Sequence, residues 1–207
     1  MSFATLKEHP LYQPLLLGLM TLLASAALAW ASSATRGAIA EAEARDLRDS
    51  LAQVLPENFA DNDLLADNTD IDIGAGKPLR VYRARAGGAV KGVVFTVIGK
   101  GYGGEITVLM AVDEDGRILG ARVLKHTETP GLGDKIEIAK SDWINGFGGK
   151  TLAAANWAVK KDGGDFDQFA GATITPRAVV SAVKRGLEIF ARHKAALLAQ
   201  KTEEHDG

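Results

Sequence analysis

From Leu11 to Thr35 the chain runs 25 residues without a charged side chain, and no other stretch limits its fold as strongly. As a helix rising about 1.5 Å per residue it would be roughly 38 Å long, more than the ~30 Å of hydrocarbon in a bilayer. Tyr12 and Trp30 stand near its two ends, where amphipathic rings sit at headgroup level. A cleaved secretory signal is the competing reading, with small residues at Ala27 and Ala29 as a cleavage site. Against it, the apolar run exceeds the ~7–15 residues of such signals, and the segment before it carries Lys7 offset by Glu8. The expectation is a retained transmembrane helix over residues 11–35, behind an N-terminal flank of residues 1–10. Lys7 before the run and Arg36 after it leave the orientation unset by charge.

The remainder of the 207 residues is long enough for one core of ordinary size. Charged residues make up 24% of the chain and the formal net charge is -2, so no nucleic-acid partner is expected. Cysteine is absent, which excludes disulfides, thiolate-held iron–sulfur clusters and haem attachment through cysteine within this chain. His9, His126, His193 and His205 are scattered, without the spacing of a zinc site, and no metal ligand is expected.

Behind the span, residues 38–55 read as a helix with Ile39, Leu47, Leu51, Val54 and Leu55 as its apolar positions, ended by Pro56. Residues 61–76, rich in Asp, Asn and Gly, read as a linker; Leu65 and a missing glycine break any calcium-loop pattern there. Residues 77–199 change character. Short β-branched runs separated by turns predict an antiparallel meander over 78–124, with Asp113–Arg117 as a hairpin connection. Residues 135–147 read as one short helix, and residues 155–169 as a second hairpin turning at Asp162–Asp165. From Pro176 the spacing of Val179, Val180, Val183, Leu187, Phe190 and Leu197 predicts an amphipathic helix to about Ala199, followed by a polar tail of residues 200–207.

Two nucleotide motifs fail on their context. Gly99–Gly104 matches G-x-G-x-x-G, but the chain continues as strand where a dinucleotide fingerprint needs a helix. Phe147–Thr151 has the end of a phosphate loop, yet Ile144 occupies the place of its first glycine. Two other segments carry more. "KHTETPGLGDKI", Lys125–Ile136, is a tight loop whose backbone N–H groups can approach a ligand, with His126, Glu128 and Thr129 as added polar groups. "FAGATITPRAV", Phe169–Val179, places Thr175 as N-cap ahead of Pro176, where the free N–H groups of a helix start favour an anion. Plain capping by Thr175 is the alternative.

"DFDQFAGATITPRAV" resembles the flavinylation motif D-x-x-[ST]-G-A-[TS]-x-[TS], and "HTETPGLG" resembles the companion loop of the same FMN-binding domain. In this order, behind an N-terminal span, they resemble the family of the G subunit of the Rnf/Rsx ion-translocating electron-transport complex. That family is related to the C subunit of the sodium-pumping NADH:quinone reductase. Asp167, Gly171, Ala172, Thr173 and Thr175 match the motif, and Ala170 departs from it where Ser or Thr is usual.

The resemblance implies an α+β protein: an N-terminal transmembrane helix, then a single FMN-binding domain of antiparallel sheet and packed helices. It implies FMN held covalently through a phosphoester to Thr175, installed by a flavin transferase that uses FAD and reads Asp167, Gly171, Ala172 and Thr173. Gly171, Ala172, Thr173, His126, Glu128, Thr129, Gly131, Leu132, Gly133 and Tyr102 are the further expected cofactor contacts; no catalytic residue is expected. The implied role is electron relay of the ferredoxin/NAD type within a membrane complex that moves Na+ or H+. The implied partners are the other subunits and membrane lipid, and the implied place is the bacterial inner membrane with the soluble domain on the periplasmic side. A tethered FMN-binding sensory module, or an anchor in which Thr175 merely caps a helix, are the rival readings.

Overall fold

In a computed structural model of the chain, residues 11–74 and 76–199 are described. The expected flank 1–10 and tail 200–207 lie outside the described residues. The described chain divides between Asp46 and Leu47 into two compact units.

The first unit is helical: α1, Tyr12–Val54, begins there and is continuous into the second. Its apolar portion has exposed leucines throughout, and it is long and apolar enough to cross a membrane by length and composition.

The second unit is built on a five-stranded antiparallel meander in the order β1–β2–β3–β4–β5, comprising Asn68–Ile71, Leu79–Ala86, Ala89–Lys100, Glu105–Asp113 and Ile118–Lys125. Successive side chains of a strand point to opposite faces, and both faces of the central strands are covered. Val93, Phe95 and Val97 of β3, with Ile106, Val108, Met110 and Val112 of β4, enter one core. Val94, Leu109 and Ala111 face the other way, against Leu51 and Val54 at the end of α1. A strand buried on both sides has no polar face to show, which accounts for the unbroken apolar run in β4. The larger core is closed by α2, Ile174–Leu197, whose Val179, Val180, Val183, Leu187 and Phe190 are buried. At the far end of α2, the buried Arg83 of β2 donates from Nε to the Leu197 carbonyl at 3.4 Å. Burial pulls the Arg83 guanidinium below its ordinary value.

Four local expectations are corrected. Residues 61–76 contain strand β1, which pairs with β2 from Asn68↔Tyr82 to Ile71↔Leu79; as an edge strand of four mostly polar residues it shows no hydrophobic alternation. Residues 135–147 form two 3-10 turns, Asp134–Ile136 and Asp142–Phe147, not one helix. The second expected hairpin is a 3-10 turn, Lys160–Asp162, beside an isolated bridge between Val159 and Phe166. Finally, α2 starts at Ile174, with Thr173 in the capping place. Thr175 is therefore not the N-cap.

Candidate functional site

A cavity of about 370 Å³ opens where three segments meet. The Gly-rich hairpin between β3 and β4 supplies Tyr102, the loop after β5 supplies Glu128, Thr129, Leu132 and Gly133, and the start of α2 supplies Gly171 through Thr175. Each is held locally. The hairpin closes through Gly101 N–H to the Gly104 carbonyl at 2.8 Å, and the loop through the Leu132 and Gly133 amides to the Thr129 carbonyl at 3.1 and 3.0 Å. Gly171 has φ +77°, a left-handed conformation that glycine adopts without steric cost.

Thr175 sits within the first turn of α2 and is 1% exposed. Its hydroxyl donates to the Glu128 carboxylate, which also accepts from the Gly103 amide at 2.9 Å and the Tyr102 amide at 3.3 Å. Glu128 thus joins all three walls. Gly133 lets it do so: a Cβ there would come to 2.9 Å from both Thr175 Oγ1 and Glu128 Cβ.

An aromatic cluster carries the segment leading into α2. Trp143 meets Phe147 and Phe169 edge to face, each at 5.3 Å between centroids, and Phe147 stacks on Phe166 at 4.7 Å. Trp143 Nε1 donates to the Asp167 carbonyl at 2.8 Å. In the first turn of α2, Arg177 forms a two-pronged pair with Asp162, and that hydrogen bonding holds the Asp162 carboxyl below its ordinary value.

Of the residues singled out in the sequence, Thr175, Thr173, Ala172, Gly171, Glu128, Thr129, Leu132, Gly133 and Tyr102 line this cavity. Three others lie elsewhere. His126 places Nε2 at 2.7 Å from Glu137 Oε1 and lines a separate cavity with Arg122 and Lys125. Gly131 occupies the loop with open space around it, and Asp167 pairs with Lys160 at 2.7 Å on the exposed side. Ile174, which the sequence did not mark, also lines the cavity; its place between two threonines of the motif was the available signal.

The meander, the capping helix and this cavity define an FMN-binding domain, and residues 101–188, which include every cavity-lining residue, match the model of that family. Over nearly its whole length the chain is 60% identical to the G subunit of the ion-translocating oxidoreductase complex of Cereibacter sphaeroides, across 199 residues that cover 93% of this chain and 90% of the relative. It is 48% identical to that of Stutzerimonas stutzeri, covering 96% and 88%. The chain belongs to the family of G subunits of the ion-translocating oxidoreductase complex. Among solved structures, the crystal structure of Shewanella oneidensis NqrC is similar at 28% identity and a TM-score of 0.47, covering 67% of this chain and 73% of that one.

Proposed function

We propose that this protein is a membrane-anchored flavoprotein subunit that relays electrons, with FMN held by a phosphoester to the Thr175 hydroxyl. The observation that carries this reading is that hydroxyl itself, buried at the meeting point of the motif segment and its companion loop.

The residues present fit such a group. The cavity's 370 Å³ lies within the ~300–1,000 Å³ of small-molecule sites. The first N–H groups of a helix lack intrahelical partners and favour an anion, so the start of α2 suits an ester phosphate. Pro176, third in the helix, has no N–H to leave unsatisfied there. Tyr102 and Leu132, both exposed, offer apolar surface to a planar ring at the cavity mouth. FMN when bound supplies the redox chemistry, and the chain supplies position and electrostatics. A covalent link keeps the ring at high effective concentration beside its partners.

Attachment is the work of a flavin transferase using FAD, which reads Asp167, Gly171, Ala172 and Thr173. Asp167 is exposed and reachable. The relatives are named as subunits of an ion-translocating oxidoreductase complex, and the same assignment for this chain makes it one electron carrier among several subunits, coupled to Na+ or H+ movement with ferredoxin/NAD-type traffic. The apolar part of α1 contains no Asp, Glu, Lys, Arg or His, so the ion path belongs to partner subunits. The apolar run crosses the inner membrane in contact with lipid and leaves the flavin domain on the periplasmic side.

Peptide mass spectrometry on protein co-produced with a flavin transferase tests the reading. FMN on Thr175 is expected; FMN on Thr173, or none, overturns it.

A further inference from the structure

Glu128 accepts a hydrogen bond from the hydroxyl read above as the anchor of the flavin phosphate, and a carboxylate carries the wrong charge for that ligand. The residue is buried, 5% exposed, and its carboxylate takes hydrogen bonds from the Thr175 hydroxyl, the Gly103 amide and the Tyr102 amide. None of these three partners is a basic side chain that would offset a carboxylate's charge. The start of α2 has the opposite sign but is weaker. A helix N-terminus is equivalent to roughly half an elementary charge, against the full charge of Glu128. Burial also leaves that charge poorly screened by salt. A free phosphomonoester brings about 1.5–2 negative charges near neutral pH, whereas a phosphodiester brings one.

We propose that Glu128 is a specificity-determining residue that turns away free FMN, so the cavity retains this flavin only as a threonine-linked diester. The inference rests on the reading of Thr175 as the anchor and adds a reason for it. Linkage removes up to one negative charge, and the tether supplies an effective concentration that offsets the repulsion left over. A neutral flavin without phosphate meets no such barrier.

The test uses the full chain in detergent, produced without a transferase and titrated with FMN and with riboflavin while flavin fluorescence is followed. Wild type should bind riboflavin at least as tightly as FMN. Glu128→Gln, which keeps the side chain's shape and removes its charge, should tighten FMN binding about tenfold or more, as expected for removing a neighbouring like charge, and change riboflavin binding less than about twofold. Failure of Glu128→Gln to tighten FMN binding, or equal tightening of both flavins, overturns the proposal. Should Glu128→Gln not fold, wild type decides alone: a preference for FMN over riboflavin sinks the proposal, and the reverse order sustains it. The anchor reading is judged separately, by mass spectrometry of transferase-treated protein. A normal Thr175 adduct on a wild type that prefers free FMN removes the role of Glu128 and leaves the anchor standing; no Thr175 adduct removes both.

Discussion

Arg177, in the first turn of α2, grips Asp162 from a neighbouring 3-10 turn, with Nε at 2.7 Å from Oδ2 and the second contact at 3.0 Å. The pair ties the start of the helix that carries Thr175 to the segment before it. The hydrogen bond from Arg177 holds the Asp162 carboxyl below its ordinary value of 3.8; desolvation opposes it, and the charges of Arg177 and Lys161 add smaller lowering effects. A carboxylate lowered in the folded state contributes stability above its unfolded value, and that contribution is lost as pH falls through the folded value. Wild type should therefore melt above Asp162→Asn at pH 7, and the gap should close as pH drops below 3.8. Because the pair is exposed, high salt should also narrow the gap. Thermal melts of the two proteins across pH and salt check both statements.

Thr175→Ala should abolish the fluorescent flavin band on a denaturing gel after co-production with a transferase. Thr175→Ser should keep some flavin, since the hydroxyl remains. The alanine variant also takes a donor from buried Glu128, which costs about 1–3 kcal/mol rather than the loss of a helix cap. Its melting temperature, measured without flavin, should fall accordingly.

Two glycines of the companion loop should respond differently. Gly131 has φ +76° and open space for a Cβ, so Gly131→Val carries only backbone strain, about 1–2 kcal/mol, and should leave attachment possible. Gly133→Ala would push a methyl to 2.9 Å from Thr175 Oγ1 and Glu128 Cβ. It should lower stability by about 1–3 kcal/mol and reduce attachment, as read by melting and by intact mass.

Trp143→Phe keeps the ring but deletes the donor to the Asp167 carbonyl. A lost hydrogen bond of this kind is worth about 0.5–1.5 kcal/mol. Amide exchange of residues 167–173 should quicken in the variant while exchange in β3 and β4 stays unchanged.

Full-length protein should fractionate with membranes and keep its N-terminus, whereas a chain starting at Ala38 should be soluble. That shorter chain retains Leu51 and Val54, which cover one face of the sheet. A mature N-terminus at Trp30 would show instead that the apolar run is a cleaved signal.

The sheet and its capping helix were legible because short β-branched runs bounded by turns and an amphipathic stripe are strong local patterns. So was the meeting of two segments more than 40 residues apart, through motif resemblance. The start of α2 was not. Proline is tolerated anywhere in a helix's first turn because its missing N–H has no partner to lose there, so Pro176 marks the beginning only to within a turn. With Ile174 first, Thr175 points inward instead of capping. Nor could the sequence separate His126 from Glu128. Both sit in one polar loop, but the chain turns between them, sending His126 to Glu137 and Glu128 to Thr175.

The aromatic cluster ahead of α2 also has an optical consequence. Of the chain's 3 tryptophans, Trp30 lies in the apolar run, while Trp143 and Trp157 pack in the cluster with Phe147, Phe166 and Phe169, in the segment that leads into α2. Indole emission overlaps flavin absorption, so a flavin held on the same domain would drain their excited state. The intrinsic fluorescence of Trp143 and Trp157 therefore gauges how many molecules in a preparation carry the pigment, with no added label.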